Sequence, residues 1–284
     1  MLDNMETYGK FIGAKDSFEE AEILIIGIPM DYTVSYRPGS RNGPQRIREV
    51  SYGLEEYSFF SDEDLRDVNY YDCGDIVLPF GNVSASLEAI EKTVSDALTN
   101  RKKILSLGGE HLVTWPIVKA YSEKYKDLAV IQFDAHADLR TDYMGEKYSH
   151  ASVMRLICEK ISGENVYQFG IRSGERYERE YAKENTNMFC FDILDKLPET
   201  INKLGDRSVY LTIDIDVLDP AFAPGTGTPE PGGATSNEIF EALKMMSSLN
   251  LVGADVVEVS PLNDVSDITS IVASKLVREL LFKF

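Results

Sequence analysis

The sequence predicts an α/β fold in which a parallel sheet is covered by helices. Three observations carry that expectation. Eight short apolar runs alternate with about eight helical segments along the chain, the order that builds parallel sheets flanked by helices. The runs read as buried strands, as expected where helices cover a sheet. The most reactive side chains lie just beyond the ends of those runs, where α/β folds carry function. Alternation alone fits an eight-stranded barrel or an open doubly wound sheet. The 284 residues are compatible with the ~250 typical of a barrel.

Residues 1–20 are mixed and polar and read as an N-terminal arm. Ile23-Leu-Ile-Ile-Gly-Ile-Pro29 is the first strand. Arg37-Pro-Gly-Ser-Arg-Asn-Gly-Pro44 is a loop dense in glycine and proline. Pro44 suits the first turn of a helix reaching residue 57, with Ile47, Val50 and Leu54 on one side. A short strand at 70–73 precedes a helix over 84–100, whose buried stripe is Leu87, Ile90, Val94 and Leu98. Lys103-Ile-Leu-Ser-Leu-Gly-Gly109 is a strand and turn leading into Glu110-His111, followed by a helix over 116–125. Leu128-Ala-Val-Ile-Gln-Phe133 is the next strand, and a polar loop runs on to His150. A helix over 151–161 and a strand over 165–170 follow. The charged segment 175–184 reads as a solvated helix, and 188–191 as a short strand. Ser208-Val-Tyr-Leu-Thr-Ile213 is a strand ending in Asp214-Ile-Asp216, after which 219–233 is a long loop rich in glycine and proline. Thr235-Ser-Asn-Glu238 has capping-box spacing and opens a helix to about 249. A last strand over 251–259, with Glu258 near its end, and a helix over 267–282 complete the pattern. With no repeat, low-complexity tract or linker, one domain over 1–284 is expected.

Composition narrows the class. Hydrophobic residues make up 43%, enough for a sizeable core. Lys+Arg total 29 against Asp+Glu 47, for a net charge of −18. That balance speaks against nucleic acid and anionic membranes; it either favours cationic ligands or serves only solubility. Cys73, Cys158 and Cys190 are far apart and form no C-x-x-C pair, which fits a reducing compartment. The N-terminus, with Asp3, Glu6 and Asp16, lacks an apolar signal core. The longest apolar stretch, around 23–28, is far too short to span a bilayer. A soluble, cytoplasmic protein is expected.

The chemistry concentrates at Asp134-Ala-His-Ala-Asp138. Extended geometry puts Asp134, His136 and Asp138 on one side of the chain, and carboxylates converging with an imidazole form a metal-ligand set. The three histidines, His111, His136 and His150, all fall just beyond strand ends. Asp214 and Asp216 repeat the period-two carboxylate pattern at a third strand end. Alone, that pair is a strand terminus followed by an Asp219-Pro220 turn. Together with His111 and the Asp-x-His-x-Asp segment it completes a two-metal set. Two imidazoles and four carboxylates suit two divalent ions, Mn²⁺ first; structural zinc would want cysteines placed for it. Two ions roughly 3.5–4 Å apart can share a water and lower its pKa until hydroxide is available near neutrality. The residues by themselves describe a binuclear metallohydrolase of unspecified substrate.

At these residues the chain resembles the ureohydrolase family, which contains arginase and agmatinase. The resemblance rests on Leu107-Gly-Gly-Glu-His111-Leu-Val-Thr-Trp-Pro116, on Val130-Ile-Gln-Phe-Asp-Ala-His-Ala-Asp138, and on Thr212-Ile-Asp-Ile-Asp-Val-Leu-Asp-Pro220 running on to Pro224-Gly225 and Gly233. The loop near Arg41 to Pro44 and the Asp255-Val-Val-Glu-Val-Ser-Pro261 segment are also similar to the family's. It implies a three-layer α/β/α fold with an open, mainly parallel eight-stranded sheet. It implies two Mn²⁺ ions, one held by His111, Asp134, Asp138 and Asp214, the other by Asp134, His136, Asp214 and Asp216, with Asp134 and Asp214 bridging. Asp138 would also hydrogen-bond the nucleophilic hydroxide. His150 matches the family's catalytic histidine beside the metals, and Glu258 the carboxylate that orients a guanidinium. Relatives form trimers or hexamers, so a homo-oligomer is implied.

The substrate is read from the stretch Leu139-Arg-Thr-Asp-Tyr-Met-Gly-Glu-Lys-Tyr-Ser-His150. It lacks the Asn- and Ser/Thr-rich pattern with which arginases hold a carboxylate, and it adds Asp142 and Glu146. The Tyr-Ser-His-Ala form is similar to bacterial agmatinases, which implies agmatine, a guanidinium with an ammonium tail. Glu175 falls near where the family contacts the amine end and is the candidate ammonium partner; a solvated charge is the competing reading. The chain departs from the family pattern at Glu110-His111-Leu112, where many members have Asp before the histidine and Ser after it. The alternatives are another amidinohydrolase (arginase or guanidinobutyrase), a non-catalytic polyamine-binding relative, and a single-zinc deacetylase of related fold.

Overall fold

The computed structural model describes residues 2–284. Its strands are β1 (Met5–Glu6), β2 (Ile23–Ile28), β3 (Tyr57–Ser58), β4 (Glu63–Asp64), β5 (Tyr70–Ile76), β6 (Lys103–Gly108), β7 (Ala129–Phe133), β8 (Val166–Ile171), β9 (Asn187–Cys190), β10 (Ser208–Asp214) and β11 (Asn250–Val257). Its α-helices are α1 (Gly43–Ser51), α2 (Val83–Thr99), α3 (Thr114–Lys124), α4 (Val153–Ile161), α5 (Arg176–Asn185), α6 (Leu197–Leu204), α7 (Ser236–Met245) and α8 (Ile268–Leu281). Nine strands form one open sheet in the order β1-β5-β2-β6-β11-β10-β7-β8-β9. All pairs are parallel except β1 with β5. The eight strands read from the sequence are all in this sheet, which does not close into a barrel.

Strand residues alternate between two cores. Ile23 and Ile25 pack with Ile47 of α1, Leu197 of α6, Ile239 of α7 and Leu276 of α8. Leu24, Ile26 and Ile28 face the other way, onto Leu87 of α2, Ile117 of α3, Leu156 of α4 and Ala182 of α5. Two helical layers therefore sandwich the sheet, and parallel strands are satisfied on both faces.

Several details depart from the sequence reading. The arm supplies a ninth, antiparallel edge strand, Met5–Glu6 against β5. The first helix stops at Ser51 rather than near 57, because the chain turns at Gly53 and then forms the separate β3–β4 hairpin. Helix α6, unassigned in the sequence, has Pro198 at its start and only eight residues, too short for a clear periodic signal. Helix α5 is not wholly solvated: Glu178 and Ala182 are buried. No helix among the described residues is long and apolar enough to cross a membrane.

Two polar features sit inside this apolar frame. Arg48 of α1 is buried and reaches Asp72 and Asp75 on β5. Gly27 leaves room for that contact, since a Cβ there would lie 1.7 Å from Asp75 Oδ1. The second feature crosses the sheet. Ser106, Asp255, Thr212, Gln132 and Gln168 pair in register on β6, β11, β10, β7 and β8, and all five are fully buried.

Candidate metal centre

The three candidate ligand segments leave the carboxyl ends of β6, β10 and β7 in the central part of the sheet, where β11 lies between β6 and β10. After β6 the chain turns through Gly109, where a Cβ would lie 1.9 Å from the Met30 carbonyl. Only glycine permits that approach, and it sets His111 at the start of a short 3₁₀ turn. The Asp214 side chain caps the turn after β10 by accepting the Asp216 amide at 2.9 Å. Asp134 likewise accepts the His136 amide at 2.6 Å.

The result is two groups that share Asp134: His111 with Asp134 and Asp138, and Asp134 with His136 and Asp216. His111 Nδ1 lies 3.0 Å from Asp134 Oδ2, 3.2 Å from Asp138 Oδ2 and 3.4 Å from Asp214 Oδ2. His136 Nδ1 lies 2.9 Å from Asp216 Oδ2 and 3.6 Å from Asp134 Oδ1. Such spacings are those of adjacent ligand atoms about 2.0–2.2 Å from a common ion. Asp214 approaches the His111 group, while its other oxygen is spent on the Asp216 amide.

The polar row beneath explains the aim of these groups. His111 Nε2 meets Thr212 Oγ1 at 3.0 Å, which leaves Nδ1 facing the carboxylates. Thr114 and Tyr210 both donate to Asp255, at 2.9 and 2.7 Å. Gln132 donates to Asp134 Oδ2 at 2.6 Å and is itself held by Gln168 at 2.7 Å. A hydrogen-bonded outer layer of this kind orients metal ligands. Sequence reasoning missed Thr212, Gln132 and Gln168, whose signal is a lone polar residue inside an apolar strand run.

The donor set fits divalent cations. His111 Nδ1 and Asp216 Oδ2 are buried and have no hydrogen-bond partner among the described residues, an expensive state that a coordinated ion relieves. Burial and the neighbouring Asp134 charge push the Asp138 carboxyl up to about 7. Burial, Asp216 and Asp134 push Asp214 well up. For Asp134 burial acts in the same upward direction, but the two imidazoles prevail and hold it below the usual range. Cations placed among these groups reverse the repulsion. Metal loading is therefore expected to stabilise the chain. An ion at 100 times its Kd adds about 2.7 kcal/mol, or roughly 5–10 °C in Tm for a domain of this size. Thermal melts with and without chelator measure it; a Tm indifferent to Mn²⁺ and to EDTA would remove the case for a built metal site.

A cavity of about 340 Å³ opens over the centre and includes His150, Glu258, Arg140 and Glu175 in its walls. Glu258 is buried, and its Oε1 accepts the His111 amide at 2.7 Å. Burial, against that amide, pushes its carboxyl up to about 8. Its backbone is left-handed at φ 62, as is that of Asp138 at φ 51, a conformation that costs about 1–3 kcal/mol outside glycine and clusters at functional sites. Half-buried His150 sits between Thr33 and Ser35, and burial drives its imidazole down to about 4. Glu175 is more exposed, and Arg140 stands 3.5 Å from it and 3.7 Å from Glu178. Glu178 itself is occupied by the Leu139 and Glu175 amides. Arg140 was not singled out in the sequence; its charge next to a ligand motif was the available signal.

The model of the Arginase family matches residues 21–283. An agmatinase of Bacillus anthracis is 58% identical over 274 residues, covering 95% of this chain and 94% of that protein. An agmatinase of Bacillus subtilis (strain 168) is 54% identical over 277 residues, 96% of each chain. The crystal structure of the agmatine ureohydrolase of Thermoplasma volcanium is similar with a TM-score of 0.89 and 34% identity, over 98% of this chain and 94% of that one. Ligand segments at three strand ends, an open three-layer sheet and a match along almost the whole chain converge on one conclusion: the protein belongs to the arginase family.

Proposed function

We propose that the chain hydrolyses agmatine to putrescine and urea at a two-manganese centre. The observation that carries this reading is the pair of carboxylate–imidazole groups sharing Asp134, with buried Glu258 and His150 in the same cavity. The choice of agmatine is supported by the names of the relatives at 54–58% identity and by the absence of an arginase-type carboxylate pattern after Asp138.

His111, Asp134, Asp138 and Asp214 would hold one ion, and Asp134, His136, Asp214 and Asp216 the other. Bound there, two divalent ions supply a nucleophilic hydroxide near neutral pH. The protein's task is to aim a permanently charged, resonance-stabilised guanidinium at it. Glu258, one oxygen fixed by the His111 amide, orients that plane by charge-assisted hydrogen bonds. Asp138 accepts the nucleophile's proton in a hydrogen bond. His150, kept neutral by its burial, relays a proton to the departing amine. Water adds to the guanidinium carbon, the carbon–nitrogen bond to the alkyl amine breaks, and urea and putrescine leave. A cytoplasmic homo-oligomer, one domain per chain, completes the reading.

Glu175 is the proposed partner of the ammonium tail. Arg140 favours a second reading, in which the tail is a carboxylate and the substrate a guanidino acid. Urea release from agmatine, arginine and 4-guanidinobutyrate by Mn²⁺-loaded protein decides between them. Agmatine is expected to be strongly preferred. In Glu175→Gln its KM rises roughly two- to fivefold, the size of a half-exposed ion pair, with kcat unchanged because the lost contact is uniform binding. A preference for 4-guanidinobutyrate in the wild type would overturn the agmatine assignment, and an unchanged KM in the variant would remove Glu175 from the site.

A further inference from the structure

We propose that Thr33 and Glu110 are positioning residues that fix which imidazole nitrogen of His150 carries the proton. The proposal rests on the role given to His150 above and goes beyond it. Glu110 precedes ligand His111, is fully buried, and turns away from the metal groups toward the loop after β2. Its Oε2 accepts the Thr33 amide at 2.7 Å and the Thr33 hydroxyl at 3.0 Å. That loop is held elsewhere too: Asp31 accepts the Gly39 amide at 3.0 Å and pairs with Arg41 at 2.5 Å. Thr33 is thus presented to His150 by a pinned segment.

The hydroxyl arithmetic then selects a tautomer. A threonine hydroxyl has one proton to donate and two acceptor sites. Thr33 spends its proton on Glu110 Oε2. It accepts the His150 backbone amide at 3.0 Å, and His150 Nδ1 lies 3.4 Å from the same oxygen. With the hydroxyl proton spent, Nδ1 must be the donor. Nε2 of the neutral ring is then left as the acceptor, 3.4 Å from Ser35, which lines the cavity together with His150. The selection does not depend on the charge of Glu110, because its Oε1 has no partner among the described residues and can carry a proton while Oε2 still accepts. The edge of the Tyr143 ring, 5.6 Å from the imidazole, closes another side. A general acid or base needs its reactive nitrogen held toward the transferred proton; here that hold comes through two residues that need not touch substrate.

The chain has three histidines, so ¹⁵N-histidine spectra resolve three imidazoles, with His150 assigned by its loss in His150→Asn. Mg²⁺ replaces Mn²⁺ for the spectra to avoid paramagnetic broadening, and kinetics use the Mn²⁺-loaded enzyme. The wild type is expected to show His150 protonated at Nδ1. Thr33→Val, which keeps the side chain's shape, mixes the tautomers and lowers kcat on the order of tenfold with KM little changed; Thr33→Ser restores both. Glu110→Gln can donate to Thr33, which frees the threonine proton for Nδ1 and shifts His150 toward the Nε2–H form. A single Nδ1–H tautomer and wild-type kcat in Thr33→Val would overturn the proposal, as would a Thr33→Ser variant no better than valine. A wild type inactive on agmatine would overturn the substrate reading instead, and the tautomer spectra would still decide this one.

Discussion

Asp134→Asn is expected to weaken both proposed metal positions at once. Asp134 belongs to both converging carboxylate–imidazole groups and, with Asp214, to both proposed ion sets, and both of its oxygens are committed. Oδ2 faces His111 Nδ1 at 3.0 Å and takes the Gln132 amide; Oδ1 takes the His136 backbone amide. An asparagine replaces one acceptor with an NH₂ donor, which must then confront either the Gln132 NH₂ or the His136 N–H. Losing an outer partner of a ligand already costs roughly 10–100-fold, so loss of the shared ligand should lower urea release on the order of 10³-fold or more. Metal analysis should find at most one tightly held ion per chain. The fold should survive, but in chelator the variant should melt below the metal-free wild type, because the two imidazoles lose the buried anion that holds them and an NH₂ is left facing a donor. Full two-ion stoichiometry with kcat within tenfold of wild type would contradict the shared role.

Arg48→Met should produce the largest loss of stability, far from the centre. The guanidinium is 1% exposed. It donates to both oxygens of Asp72, at 2.8 and 3.0 Å, to Asp75 at 2.6 Å, and to the Gly74 carbonyl at 3.0 Å. Asp72 also accepts the Phe11 amide, so the N-terminal segment hangs on the same cluster. Methionine fills much of the volume but leaves two buried carboxylates without their cation. Breaking a buried pair in this way costs about 3–5 kcal/mol, roughly 10 °C in Tm for a chain of this size. Adding Asp72→Asn and Asp75→Asn should recover part of the loss, since the penalty lies in the stranded charges. A single variant melting within a degree or two of wild type would show the cluster to be energetically neutral.

The sheet was legible because most of its strands, as in β2, β6 and β7, are nearly continuous apolar runs bounded by glycine, proline or charge. The candidate centre was legible because its six candidate ligand residues fall in three short segments at strand ends, as in His111, Asp134 to Asp138, and Asp214 to Asp216. What escaped depends on which elements become neighbours. Thr33 and Glu110 are 77 positions apart, and no local pattern joins them. Thr212 and Asp255 look like ordinary strand residues until β10 and β11 are paired. Arg140 and Glu175 meet only because the loop after β7 packs on the start of α5. Residues 5–6 carry too short a pattern to be read as a strand, and α6 is too brief to show its period.

The five polar residues that cross the sheet carry a consequence for folding. A sheet with one wet face aligns its strands by hiding the apolar side, since a slip of one residue exposes it. Here both faces are covered, and β2, β6, β7, β8 and β10 are almost entirely apolar. A strand slipped by two residues would therefore bury much the same oil. It would, however, separate Gln132 from Gln168 and Thr212 from Asp255, leaving each as an unmatched polar group in a dry interior, at about 1–3 kcal/mol apiece. The row acts as an alignment key. It penalises misassembled sheets more than it strengthens the correct one, and in the correct alignment it delivers three strand ends to a common depth.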